Sequence, residues 1–226
     1  MFDALYGPDG KDNSIIDVPF NWDAVADVTR LRVGYLRAAF DGPIAENPNN
    51  PDAALLEKAT RANNQEALDV IRSLGVSLVP FDLPDVPLPA IDFIRYAETA
   101  AFFDDVTRSG LLTQVEEGPE MSARPIEIRS AYFTPAVAYI QANRFRTRVM
   151  EQVDKAIGDL DLFIGSRQAL TNRTGHPVVS MPSGFYRGSP TALHFTGKLF
   201  GDSEILLLAH AFQAATDHHL KHPPLQ

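Results

Sequence analysis

The densest set of metal-capable side chains in this 226-residue chain is His218-His219-x-x-His222. Two imidazoles three or four residues apart on a helix share one face, which is half of a zinc site. No carboxylate or cysteine completes the set, so no metal is expected. The histidines and Lys221 read instead as a frayed last turn, favoured there by the negative end of the helix dipole. Arg144 and Arg148 stand four apart on one helix face, with Arg146 on another. Paired guanidinium groups can grip a carboxylate, although a charged helix face more commonly just meets water. Asp104 and Asp105 are adjacent, about 100° apart on a helix, and that spacing makes no acid/base pair. Glu98 lies among Ala97, Ala100 and Ala101 and needs a partner if it is buried. His194 and His210 sit in apolar stretches and read as satisfied core or interface residues. The chain contains no G-x-S-x-G, no G-x-x-x-x-G-K-[ST], no G-x-G-x-x-G and no H-E-x-x-H.

The elements that must position these groups follow from turn formers and apolar spacing. Residues 1–30 are irregular, and Leu31–Leu36 alternates like a strand. Asn50 can cap a helix and Pro51 suits its first position, where the missing N–H costs nothing. Leu55, Ala59, Ala62, Leu68, Ile71 and Leu74 form its stripe, and Gly75 provides the exit. Gly75–Pro80 is the next strand, so strand, helix and strand predict a parallel crossover pair. Prolines 80, 84, 87 and 89 lead into a helix near Ala90–Arg108, and Gly110–Ser130 reads as loop. The spacing of Phe145, Val149, Val153 and Ile157 predicts a helix after Thr134 and Pro135, ending at Gly158. Strands are expected at Asp161–Ile164, Pro177–Pro182 and Thr191–Gly197, and a final helix at Ser203–His219. Nothing in this order argues for a second domain.

The bulk figures narrow the function classes. A net charge of −9 repels phosphate backbones, so nucleic acid is not an expected partner. Cysteine is absent, which excludes disulfides, thiol catalysis and thiolate metal sites. No apolar run approaches the ~18 residues of a spanning helix, and no basic-then-apolar leader opens the chain. A cytoplasmic protein that needs no cofactor and no membrane is the simplest expectation.

Thr171–Gly184, T-N-R-T-G-H-P-V-V-S-M-P-S-G, resembles the Asn-x-x-Gly-x-Pro…Pro-x-Gly stretch of the amidase signature family. Asp3–Asp12 (D-A-L-Y-G-P-D-G-K-D) and Asp17–Asp23 (D-V-P-F-N-W-D) are similar to the segment just after that family's signature region. The resemblance covers nearly the whole chain, but only the downstream half of the family's domain. It implies an α/β fold with a mixed, mostly parallel sheet sandwiched by helices, in a single, incomplete amidase-like domain over residues 1–226. The implied reaction is hydrolysis of a carboxamide C–N bond, or amide transfer as in glutamine-dependent amidotransferases.

The family's enzymes use a serine nucleophile in a glycine- and serine-rich stretch, a second serine and an upstream lysine. A neutral lysine relayed through a serine can take the nucleophile's proton, while backbone amides of the loop hold the oxyanion. No such glycine- and serine-rich run occurs here, so no catalytic residue carries over and the chain alone is expected to be inactive towards amides. Asn172, Gly175, Pro177, Pro182 and Gly184 match the family's motif near the active-site wall. His176 stands where the family often has a smaller aliphatic residue. The implied pocket- or loop-shaping residues are therefore Asn172, Gly175, His176, Pro177 and Gly184; turn chemistry alone would make them a strand-to-helix loop. The expected partners are an upstream amidase half or a second copy of the chain, with a small amide as substrate only once the domain is completed. A stand-alone, non-catalytic binding module remains the alternative, and an unrelated α/β enzyme ranks last.

Overall fold

A computed structural model describes residues 6–44, 50–114, 124–165 and 168–221. Asp3–Leu5 of the first motif and His222 of the histidine cluster lie outside these residues. The elements in chain order are β1 (Val33–Leu36), α1 (Arg37–Phe40), α2 (Pro51–Ser73), β2 (Leu78–Phe81), α3 (Pro89–Phe102), α4 (Asp104–Arg108), α5 (Arg124–Ala131) and α6 (Ala136–Ile157). They continue with β3 (Leu162–Ile164), α7 (Gln168–Thr174), β4 (Val178–Tyr186), β5 (Ser189–Gly197) and α8 (Asp202–Ala214). The residues gather into two compact units. A sheet unit takes those up to 83, 154–171 and from 175 onward; a helical unit takes 84–153 and 172–174.

In the sheet unit, α2 begins where the Asn50 side chain accepts the Ala53 amide at 3.2 Å and Pro51 enters the first turn. Its apolar stripe is buried only in the second half: Leu68 and Ile71 are enclosed, whereas Leu55 is 48% exposed. The crossover pair forms as expected, with Val33 parallel to Leu78. Strand β3 joins the other side of β1, also parallel, and β5 then runs antiparallel to β3. The resulting five-stranded mixed sheet has the order β2-β1-β3-β5-β4, its parallel part confined to β1, β2 and β3. Helices α2 and α8 cover one face. There Leu68, Ile71, Val33, Leu162, Ile164, Leu193, Phe195 and Phe212 share one core, with the Phe195 and Phe212 rings edge to face at 5.9 Å. On the opposite face, Phe81 and Phe163 meet at 4.9 Å. Gly34 lies beneath them because any Cβ would come 2.6 Å from Leu160 Cδ1.

Strands β4 and β5 are longer than the sequence suggests. They form a hairpin whose two turn residues, Arg187 and Gly188, both have positive φ (48° and 83°), the requirement of a type I′ turn. A bulge at Pro182/Gly184 absorbs the two residues that otherwise read as strand breakers. The last helix stops at Ala214 rather than His219. The Thr216 hydroxyl donates to the Phe212 carbonyl at 2.9 Å, and a short 3₁₀ turn over His218–Leu220 follows.

In the helical unit, the helix expected over Ala90–Arg108 breaks at Phe103, where φ −96° and ψ 24° leave the helical region. Asp104 restarts it by accepting from Arg108 at 2.7 Å and from the Tyr132 hydroxyl at 2.6 Å. Among the described residues, two small apolar clusters help to hold these helices, and Val149 and Val153 of α6 are also fully enclosed. One cluster is Ile91, Ile94 and Ala142 with Tyr139 and Phe145 packed on it; the other is Ala100, Leu112 and Ile128. Among the described residues no helix is long and apolar enough to cross a membrane.

Candidate functional site

Helix α7 and the turn after it carry most of the expected site. The Thr171 carbonyl accepts from both the Gly175 amide (2.9 Å) and the His176 amide (3.2 Å), which closes the helix with Gly175 at φ +79°. Only glycine takes that left-handed conformation without strain. Pro177 then leads into β4, its carbonyl accepting from the Gly197 amide at 3.0 Å. His176 is 6% exposed. Burial pushes its imidazole below the ordinary value, and the carboxylate of Asp154 works against that shift. Gly184 stands elsewhere, roughly 20 Å further along β4 by strand rise. A Cβ there would come 2.6 Å from Asn63 Cγ, so Gly184 is what lets α2 approach the strand.

Asn172 belongs to the helical unit together with Arg173. With Ile91, Ile94, Arg95, Glu98 and Arg146 they line a cavity of about 320 Å³. Its charge is mainly cationic. Arg173 is tied to Asp92 by an ion pair and a hydrogen bond. Arg146 reaches Glu98 at 4.0 Å, and Glu98 also accepts from the Tyr139 hydroxyl at 3.1 Å. Arg95 lies over the Tyr96 ring at 4.2 Å. Three guanidinium groups beside a side-chain amide suit a ligand with an anionic end, because planar N–H pairs match carboxylate geometry. Helical spacing points to Arg144 and Arg148, yet Arg146 is the arginine beside Asn172. Arg144 lines a neighbouring groove with Tyr139 and Met150. No sequence pattern points to Arg173. The only signal for Arg95 is its place three residues before Glu98, on the same helix face.

The remaining chemically capable residues separate. Asp104 pairs with Arg108 and Tyr132, whose bonds hold its carboxyl below the usual range. His210, expected as a core or interface residue, is not in the core: it is exposed, edge-on to Trp22 at 6.3 Å. His194 is half-buried on the sheet, its Nδ1 2.8 Å from the Ser180 hydroxyl, and burial lowers its affinity for a proton. His218 stands 4.0 Å from the Asp217 carboxylate.

No profile of a known protein family matches the chain. Individual proteins do. The A subunit of the glutamyl-tRNA(Gln) amidotransferase from Azoarcus sp. (strain BH72) is 25% identical over 278 aligned residues, covering 99% of this chain and 54% of that protein. Its namesake from Bacillus licheniformis is 27% identical, with 100% of this chain and 54% of the relative covered. A bacterial aryl acylamidase of the amidase signature enzymes family shares the fold at a TM-score of 0.64 and 16% identity, over 90% of this chain and 48% of that one. The chain thus spans about half the length of the relatives it matches. Along nearly its full extent the chain is similar in sequence to amidotransferase A subunits, and it shares its fold with an enzyme of the amidase signature family.

Proposed function

We propose that this chain supplies the downstream half of an amidase-signature domain in the cytoplasm, as part of one functional domain, and contributes binding wall rather than cleaving groups. The observation that carries the reading is the coverage: 99% of this chain aligns with 54% of its amidotransferase relative from Azoarcus. The chemistry that family needs, a serine nucleophile with a lysine-relayed proton, would come from the upstream half. The Asn172 cavity then offers Arg146 and Arg95 to the anionic end of a carboxamide substrate, with Gly175, His176, Pro177 and Gly184 shaping the backbone that follows it in the chain. The helical unit also exposes Phe102 (82%), Phe133 (87%) and Val137 (71%), apolar surface of the kind a missing partner would cover.

The test is ammonia release from glutamine and from a simple aryl carboxamide. The expected result is none from this chain alone, and release once the upstream half of an amidase-signature relative is supplied in trans or fused. Turnover by the chain alone, abolished by substituting a residue within it, would overturn the reading. A second reading, a stand-alone binding module, is favoured by the closed core of the sheet unit. Light scattering on the purified chain separates the two: a sharp monomer with a cooperative melt supports the module, and self-association or capture of the upstream half supports the split domain.

A further inference from the structure

A second cavity lies in the sheet unit, apart from the cavity lined by Asn172. It measures about 520 Å³ and opens between α2, β4 and the end of α8. That size is within the range of small-molecule pockets, roughly 300–1,000 Å³. Ala67 and Val70 of α2 and Phe212 of α8 form its apolar wall, and Glu66, Ser183 and His218 bring polar groups to it.

Each polar feature favours a positively charged donor. Glu66 carries a carboxylate with no ion-pair partner among the described residues. His218 Nδ1 is buried and makes no hydrogen bond. Ser183 is 3% exposed and its hydroxyl lies 3.0 Å from the Thr191 hydroxyl. Asn63 also donates to that Thr191 oxygen at 2.9 Å, and whichever hydroxyl donates between Thr191 and Ser183, a Ser183 lone pair is left for the cavity. Residues 214–216, at the carbonyl end of α8, line the same space, so the negative end of the helix dipole faces it. The nearest cations along its own helix, Arg61 and Arg72, pair with Glu57 and Asp69, and Lys221 beyond His218 is held by Asp217 at 2.9 Å, so none of them neutralises Glu66.

From this arrangement we propose that the cavity binds a small organic amine: a primary ammonium group seated between Glu66, Ser183 and His218, with an apolar body against Val70 and Phe212. The site is independent of the amide reading and stands or falls without it.

The probe is benzylammonium, titrated into the full chain by calorimetry, with benzyl alcohol and benzoate as matched neutral and anionic probes. Benzylammonium saturates one site, and the other two bind at least about tenfold more weakly, as loss of a charge-assisted hydrogen bond requires. E66Q, a substitution at an exposed position, weakens benzylammonium by about the same factor and leaves the melting curve in place. V70W, which fills the cavity from its apolar side, abolishes binding. No saturable binding by folded protein, equal binding of the three probes, or unchanged affinity in E66Q would each overturn the assignment.

Discussion

Phe195 in the sheet unit has no exposed surface, whereas Phe133 in the helical unit is 87% exposed. The contrast runs through both units. The sheet unit closes a large core from α2, four strands and α8 on one face of the sheet, with Leu68, Leu193 and Phe212 almost wholly enclosed, and buries Phe163 on the other. Among its described residues the helical unit has two small clusters of three buried residues each, with Val149 and Val153 also enclosed, and leaves aromatic rings on its surface. Hydrophobic stabilisation scales with the apolar area removed from water, so the first unit carries most of the chain's stability. The second presents the charged cavity and the uncovered faces. Enclosed packing and uncovered apolar surface are thus divided between different parts of the chain.

The strongest way to break this contrast is F195A, which should cost about 3–5 kcal/mol in urea unfolding because it leaves a cavity in the enclosed core. A cost below about 1 kcal/mol would mean that the core is not closed in solution. G184A should follow at about 1–3 kcal/mol, since its Cβ would overlap the Asn63 side chain. In an N63A background the same substitution should cost less, and full additivity would deny the contact. F133S should change stability by no more than about 0.5 kcal/mol, yet reduce self-association in light scattering. A large stability loss there would show that the helical unit buries this ring after all.

The smallest effect sharpens the contrast through pH. All six histidines of the chain fall at 176 or beyond, and none lies in the helical unit. Burial lowers the proton affinity of His176 and His194 from the ordinary 6.5. Above that value both folded and unfolded chains are neutral at these positions, and stability is unaffected by pH through them. As pH falls below it, the unfolded chain takes up protons that the folded chain resists, so stability declines until the folded-state values are passed. Hydrogen exchange should show this acid weakening in the sheet unit, and H194Q should flatten the slope. An equal slope in the helical unit would refute the assignment.

Local signals carried much of the fold. Asn50-Pro51 and Gly158 mark helix ends by groups within one turn of the end itself, so a sequence displays them. The parallel crossover was legible for the same reason: its parts are consecutive. The hairpin was harder to see. Pro182 and Gly184 read as breakers, and what keeps β4 going past them is Asn63, which donates to the Phe185 carbonyl from more than a hundred residues away. Phe103 gave no sign that it would interrupt a helix, because Tyr132 supplies the bond that favours the restart at Asp104. The turn at Gly175 was legible in the sequence, and the charges gathered around Asn172 were not. Gly175 announces a turn in any context, but the choice of Arg146 over Arg144 and Arg148 depends on how α3 and α6 meet Asn172 and Arg173. Helical spacing places residues on faces and does not say which face meets which.

The Arg187-Gly188 turn has a consequence for the order in which the chain organises. A two-residue type I′ connection brings β4 and β5 together with almost no loop to close, and hairpins of this kind form within about 1–10 μs. Strands β1 and β3, by contrast, are joined across 129 residues, as the bond from the Arg32 amide to Asp161 records. Contacts of such separation form late, because their loop entropy is spent before they return any stability. The hairpin should therefore exist early as a template, waiting for β3 to arrive, and anything that delays that arrival leaves a preformed strand edge open to another chain.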